Sequence, residues 1–139
     1  LIKFDDNGNL TDSYFYNSNG QINKKVKSQY DINGNIAEQS SYNSDGKLES
    51  KHNFQYDKFG NINEMTIYQA NGKISGEMKN QINKYGYITV SSMFGENGKL
   101  IYERKFQYKY DRVNNWISRT EYKDDLLKEI VEREIEYYK

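Results

Sequence analysis

At 139 residues the chain has room for one domain or for a stretch of a longer array. Its mean hydropathy of −1.07 is low, but 15% of its residues are aromatic, with fourteen tyrosines among them, and that richness excludes a disordered chain. Twenty basic residues cancel twenty acidic ones, so no net field draws a polyanion and nucleic acid is excluded as a partner.

The absence of cysteine excludes a disulfide framework and a thiolate metal site. No apolar run reaches the roughly 18 residues of a transmembrane helix. The sequence shows no signal peptide. It opens at Leu1 in the middle of a turn unit, which reads as a single repeat domain, residues 1–139, that lacks upstream sequence.

In chain order, glycines fall at Gly8, Gly20, Gly34, Gly46, Gly60, Gly72, Gly86 and Gly98, stepping alternately by 12 and 14 residues. That is a 26-residue repeat with two turns per unit. Three residues before the glycine stands Asp5, Asn17, Asp31, Asn43, Asp57 or Asn83, with Gln69 and Gly95 in the two other units. Asp and Asn favour the first position of a type I turn, where the side chain bonds backbone two residues on, and glycine then takes the left-handed conformation. This is the pattern of a three-residue hairpin loop closed by a glycine bulge. In the run 56–62 the loop is Lys58–Gly60, Asp57 faces Asn61, and Tyr56 faces Ile62. A ninth turn, 111–114, carries Asn114 in place of glycine.

The steps are even, so even-numbered residues from Ile22 to Tyr122 are expected on one apolar face, with odd residues such as Lys47, Glu49, Lys51 and Gln55 in water. The last hairpin fits a two-residue loop at Asp124–Asp125 that pairs Tyr122 with Leu127 and puts Leu127, Val131, Ile135 and Tyr137 on the core face. A helix over 126–138 is the alternative there, because Asp-Asp-Leu-Leu-Lys-Glu is good helical material. The fold expected is all-β: an antiparallel meander of about eleven strands in a single curved, coiled sheet, an open strip or alternatively a near-closed barrel.

The runs Tyr30-Asp31-Ile32-Asn33-Gly34-Asn35, Tyr56-Asp57-Lys58-Phe59-Gly60-Asn61 and Tyr110-Asp111-Arg112-Val113-Asn114-Asn115 resemble the Tyr-Asp repeats of RHS-type proteins. The resemblance implies a spiralling β-strip in an exported or cell-envelope bacterial protein. It brings no catalytic residues, because the family has none in the repeats. The chain lacks the arginine that often follows the glycine there and shows no protease or toxin segment. About five units are too few to enclose a cargo.

Asp12, Glu38 and Glu64 recur at one repeat position, about 10 Å apart at two strands per step, and the turn register sets Glu38 opposite His52, the only histidine, as a candidate general base. On the odd face, Met65, Glu77, Met93 and Ile101 are expected side by side, with Ile67 and Tyr87 near them. Met65, Ile67, Met93 and Ile101 form the candidate interaction patch. Tyr16, Tyr42, Tyr68, Tyr102 and Tyr122, near strand ends, are candidates for stacking on sugar rings. A lipid-facing barrel is excluded by Asp12, Lys24, Glu38, Glu64 and Arg104 on the apolar face. No phosphate loop, nucleophile elbow or metal-ligand spacing occurs, so no catalytic residue, cofactor or metal is assigned. The sequence thus reads as a non-catalytic scaffold with a protein partner, or alternatively as a carbohydrate-binding module.

Overall fold

The computed structural model describes residues 1–138, and every regular element among them is a β-strand. The strands are β1 (Ile2–Phe4), β2 (Leu10–Tyr16), β3 (Ile22–Tyr30), β4 (Ile36–Asn43), β5 (Leu48–Tyr56), β6 (Ile62–Gln69), β7 (Ile74–Ile82), β8 (Ile88–Gly95), β9 (Leu100–Tyr110), β10 (Trp116–Lys123) and β11 (Leu126–Glu132). They form one open sheet in chain order, with each strand antiparallel to its sequence neighbours. The final segment is a strand rather than a helix, and it ends at Glu132.

The turns form as their residues dictate. In the β5–β6 hairpin the Gly60 N–H donates to the Asp57 carbonyl at 3.1 Å, and the Asp57 N–H donates to the Asn61 carbonyl at 2.9 Å. The Asp57 carboxylate accepts the N–H of Phe59 at 2.8 Å and of Asn61 at 2.9 Å. Gly60 has φ 80°, and at the ninth turn Asn114 holds the same conformation at φ 68°. The last hairpin turns on Asp124 and Asp125, with φ of 50° and 63°, the geometry of a two-residue primed turn.

A second irregularity recurs in all ten hairpins. Tyr56 pairs with Ile62 but Gln55 pairs with Glu64, so Asn63 has no partner on β5. The same offset leaves Thr11, Asn23, Ala37 and Glu49 unpaired, then Ser75, Thr89, Ile101, Ile117 and Lys128. Each is a bulge, and a one-residue offset exchanges the faces of odd and even side chains.

The even-number rule expected from the turn spacing therefore fails. Direct partners share a face, and odd-numbered Met65 is the direct partner of even-numbered Phe54 and Met78. Glu38 pairs with Asn53 and His52 with Gln39, so the expected Glu38–His52 pair does not form; the bulge at Glu49 separates them. The bulge at Lys128 likewise divides the expected face of β11, pairing Leu127 with Tyr122 but Val131 with Arg119.

The apolar pairs beside the turns do form: Tyr16–Ile22, Tyr42–Leu48, Tyr68–Ile74 and Phe94–Leu100 at one rim, and Tyr30–Ile36, Tyr56–Ile62, Ile82–Ile88 and Tyr110–Trp116 at the other. With one bulge between rims, the two sets project from opposite faces. Among the described residues no hydrophobic side chain is fully buried, and the buried polar residues are Ser40, Ser92 and Ser118. A single layer has no interior to fill. Its cohesion rests on cross-strand pairs, worth about 0.2–1 kcal/mol each.

At the second rim the strands splay, and side chains fill the gap. The β4–β5 ladder starts at Glu38, leaving the Ile36 carbonyl without a strand partner there; the Tyr56 hydroxyl donates to it at 2.9 Å. Tyr30 donates to the Leu10 carbonyl and Tyr108 to that of Ile88, both at 2.8 Å. The Asn80 amide serves Ile62 at 2.8 Å, and the Arg133 guanidinium serves Trp116. Each stitch ties one unit to the next.

Candidate functional site

The bulges gather on one face what the sequence order scatters over two. Phe54 pairs with Met65, Met65 with Met78, Met78 with Met93 and Met93 with Tyr102. The result is a continuous row across β5–β9 holding all three methionines of the chain. Every member is only part-buried. Beside it runs the row His52, Ile67, Gly76 and Gly95. A side chain at Gly76 would meet Met93 Cε at 3.0 Å, so Met93 lies down over the glycine. On the other flank a shallow depression of about 610 Å³ is lined by Tyr56, Ile62, Met78, Asn80, Ser91, Tyr102, Arg104 and Phe106. This is the methionine face.

Away from the rim pairs Tyr42–Leu48, Tyr68–Ile74 and Phe94–Leu100, the opposite face of the same strands is polar. Gln55, Glu64, Lys79, Ser92 and Glu103 form its central row. The repeated carboxylates stand on this face with lysines against them: Asp12 with Lys25 at 2.8 Å, Glu38 with Lys51 at 3.1 Å, and Glu64 paired across the ladder with Lys79. The Lys25 ammonium, hydrogen-bonded to Asp12, holds that carboxyl below its ordinary range, and Asp12 in turn holds Lys25 up. Ser92 sits under such groups, donating to Glu103 at 3.1 Å.

The structure regroups the sequence-derived patch. Met65, Ile67 and Met93 lie together, but on the same face as Phe54 and Met78 rather than on a face of their own. Glu77 falls on the polar face, paired with Thr66 and Phe94. Ile101 is the unpaired bulge residue of the β8–β9 hairpin and is 61% exposed, so it stands beside the row rather than in it. Met78, at the centre, is the residue that parity reasoning assigned to the other side. Methionines on three successive strands, at steps of 13 and 15 residues, were the available signal.

Of the tyrosines near strand ends, Tyr16 is 47% exposed. Tyr42 and Tyr122 are part-buried against Leu48 and Leu127. The Lys51 ammonium lies 5.1 Å from the Tyr68 ring, and Arg104 and Lys123 lie 5.5 and 5.2 Å from Tyr102. Tyr102 shares the methionine face, whereas Tyr16, Tyr42, Tyr68 and Tyr122 project from the other.

Sequence reasoning missed an aromatic cluster at the splayed rim. Tyr85 and Tyr110 have ring centroids 4.8 Å apart, Tyr87 and Tyr108 are stacked at 5.5 Å, and Trp116 meets Tyr108 edge-on at 6.4 Å. Burial pushes the Tyr108 and Tyr110 hydroxyls up, keeping them protonated. Among the described residues no three His, Asp or Glu side chains gather as a metal set, and no helix is long and apolar enough to cross a membrane.

No family model and no curated protein matches the chain. Solved structures that resemble it include a Photorhabdus luminescens Tc holotoxin pore carrying a TccC3 mutation, at 10% identity over 95% of this chain, and a TcdB2–TccC3 complex, at 13% over 92%. Both have a TM-score of 0.30, and the chain spans 9% of the length of each. Neither match bears on activity, partner or location.

Proposed function

We propose that the chain is a non-catalytic interaction scaffold that engages a protein through its methionine face. The observation that supports this is the continuous, part-buried row Phe54–Met65–Met78–Met93–Tyr102 on a single-layer sheet whose reverse side carries the ion pairs in its middle. Exposed apolar patches larger than scattered residues mark association surfaces, and methionine suits such a surface because its unbranched thioether adapts to a partner. The resemblance of the Tyr-Asp runs to RHS-type repeats supports an exported or cell-envelope location as part of this reading.

The test is a hydrophobic-dye titration beside a thermal-shift screen against soluble glycans. At dilutions that leave the chain monomeric and the face open, dye binding to the folded chain should fall in Met78→Lys and be kept in Gln55→Lys, which sits on the reverse face. No glycan should raise the melting midpoint. A reproducible rise that disappears when Tyr16 or Tyr42 is replaced by Ala would replace this reading with a sugar-binding one, because a ligand of the folded state must raise the midpoint.

A further inference from the structure

We infer that the partner of the methionine face is a second copy of this chain, packed face to face about a two-fold axis at Met78. The inference rests on the interaction reading above and names its partner.

The first argument is area. A compact monomer of this chain's 16.5 kDa exposes about 7,500 Å². The single sheet exposes 9878 Å², about 2,300 Å² more. A standard interface takes about 800 Å² from each partner, so one covered face fits within that excess.

The second argument is symmetry. Read across the strands, the row is Phe54, Met65, Met78, Met93, Tyr102, an aromatic ring at each end of three methionines. Rotated by a half-turn about Met78 it falls on itself: Phe54 meets Tyr102 of the partner subunit, and Met65 meets Met93 of the partner subunit. That is the self-complementarity an isologous contact requires. The row spans about 19 Å at roughly 4.8 Å per strand, and two such sheets pack about 10 Å apart with their strands near alignment.

The third argument is charge. Twenty acidic and twenty basic residues leave no net repulsion between copies, the row Glu64, Lys79 and Glu103 stays outside on the reverse faces, and Arg104 on the methionine face has the Glu121 carboxylate as counter-ion at 3.6 Å. The depression lined by Phe106, Tyr102 and Met78 gives the opposing methionines room to interdigitate.

The experiment joins sedimentation with peroxide footprinting of the purified chain from micromolar to millimolar concentration. All three methionines lie in the row, so oxidation reports on this face alone, and the sulfoxide is polar. Expected is a species of twice the chain mass, with methionine oxidation slowing several-fold as it forms. Met78→Lys should return the chain to monomer with its far-UV spectrum unchanged, and Gln55→Lys should stay dimeric. The chain has no cysteine, and sheets about 10 Å apart hold facing residues beyond disulfide reach, so a short bis-maleimide should join Met78→Cys into a cross-linked dimer while Gln55→Cys stays monomeric on the denaturing gel. A chain that stays monomeric with freely oxidised methionines overturns the inference; if its dye binding still depends on Met78, the interaction reading survives. If Met78→Lys unfolds and Met78→Cys fails to cross-link, the row is structural and both readings fall.

Discussion

The Asp31 carboxylate accepts the N–H of Asn33 and the N–H of Asn35, both at 2.9 Å, while Gly34 closes the loop at φ 82°. Nothing lies within 4 Å of where a Gly34 side chain would project. Any penalty for filling that position is therefore backbone strain alone, about 1–2 kcal/mol for a residue with a Cβ in the left-handed region. Gly34→Ala should lower stability by that amount in chemical denaturation, without changing the strand content.

The turn carboxylates also set the acid response. The Asn9 side-chain amide holds the Asp5 carboxyl below its ordinary 3.8, the Asn35 N–H does so at Asp31, and the Tyr137 hydroxyl does so at Asp111. A depressed value in the folded chain means stability that is present above the unfolded value and lost as pH falls through the folded one. Thermal midpoints should hold level down to about pH 4 and fall below it. Asn17, Asn43 and Asn83 perform the same turn with an amide, so Asp31→Asn should keep its hairpin and flatten part of the acid slope. A slope unchanged by that variant would remove the turn aspartates from the account.

At the scale of the hairpin, the sequence announces the loop and conceals the bulge beside it. Loops need residues that tolerate positive φ or bond their own backbone, and few types do, so Asp, Asn and Gly mark every one. The bulge positions are filled by Thr, Asn, Ala, Glu, Ser, Ile and Lys, which share no chemistry. A bulge bends its strand and increases the local twist of the sheet, and no shared residue type marks where one falls. That is why the Tyr56–Ile62 pair was legible while the Met65–Met78 pair was not. The stitches at the splayed rim were equally hidden, since Tyr56 and Ile36 lie 20 residues apart. Tyr56→Phe leaves the ring in place and strands the Ile36 carbonyl, which should lower stability by about 0.5–1.5 kcal/mol. Tyr42→Phe, at the rim where no tyrosine hydroxyl ties one hairpin to the next, is the matched control and should lose little.

At the scale of the whole molecule, the absence of a closed core decides how the chain comes apart. Each strand pairs only with its sequence neighbours, and no hydrophobic residue among those described is fully buried. Stability is then a sum of hairpins and the interfaces between them, as in a linear repeat array, rather than one all-or-none unit. The strands are unequal: β1 has three residues, with Ile2 and Phe4 more than half exposed, whereas β9 has eleven. Amide exchange should therefore be graded, fastest in β1 and β2, slowest through β5–β9, and faster again in β11. Raising the protein concentration should slow exchange in β5–β9 and leave β1 and β2 unchanged, because only the central strands carry the methionine row. Uniform protection from β1 to β11, moving as one with concentration, would show a single cooperative unit and defeat the repeat description.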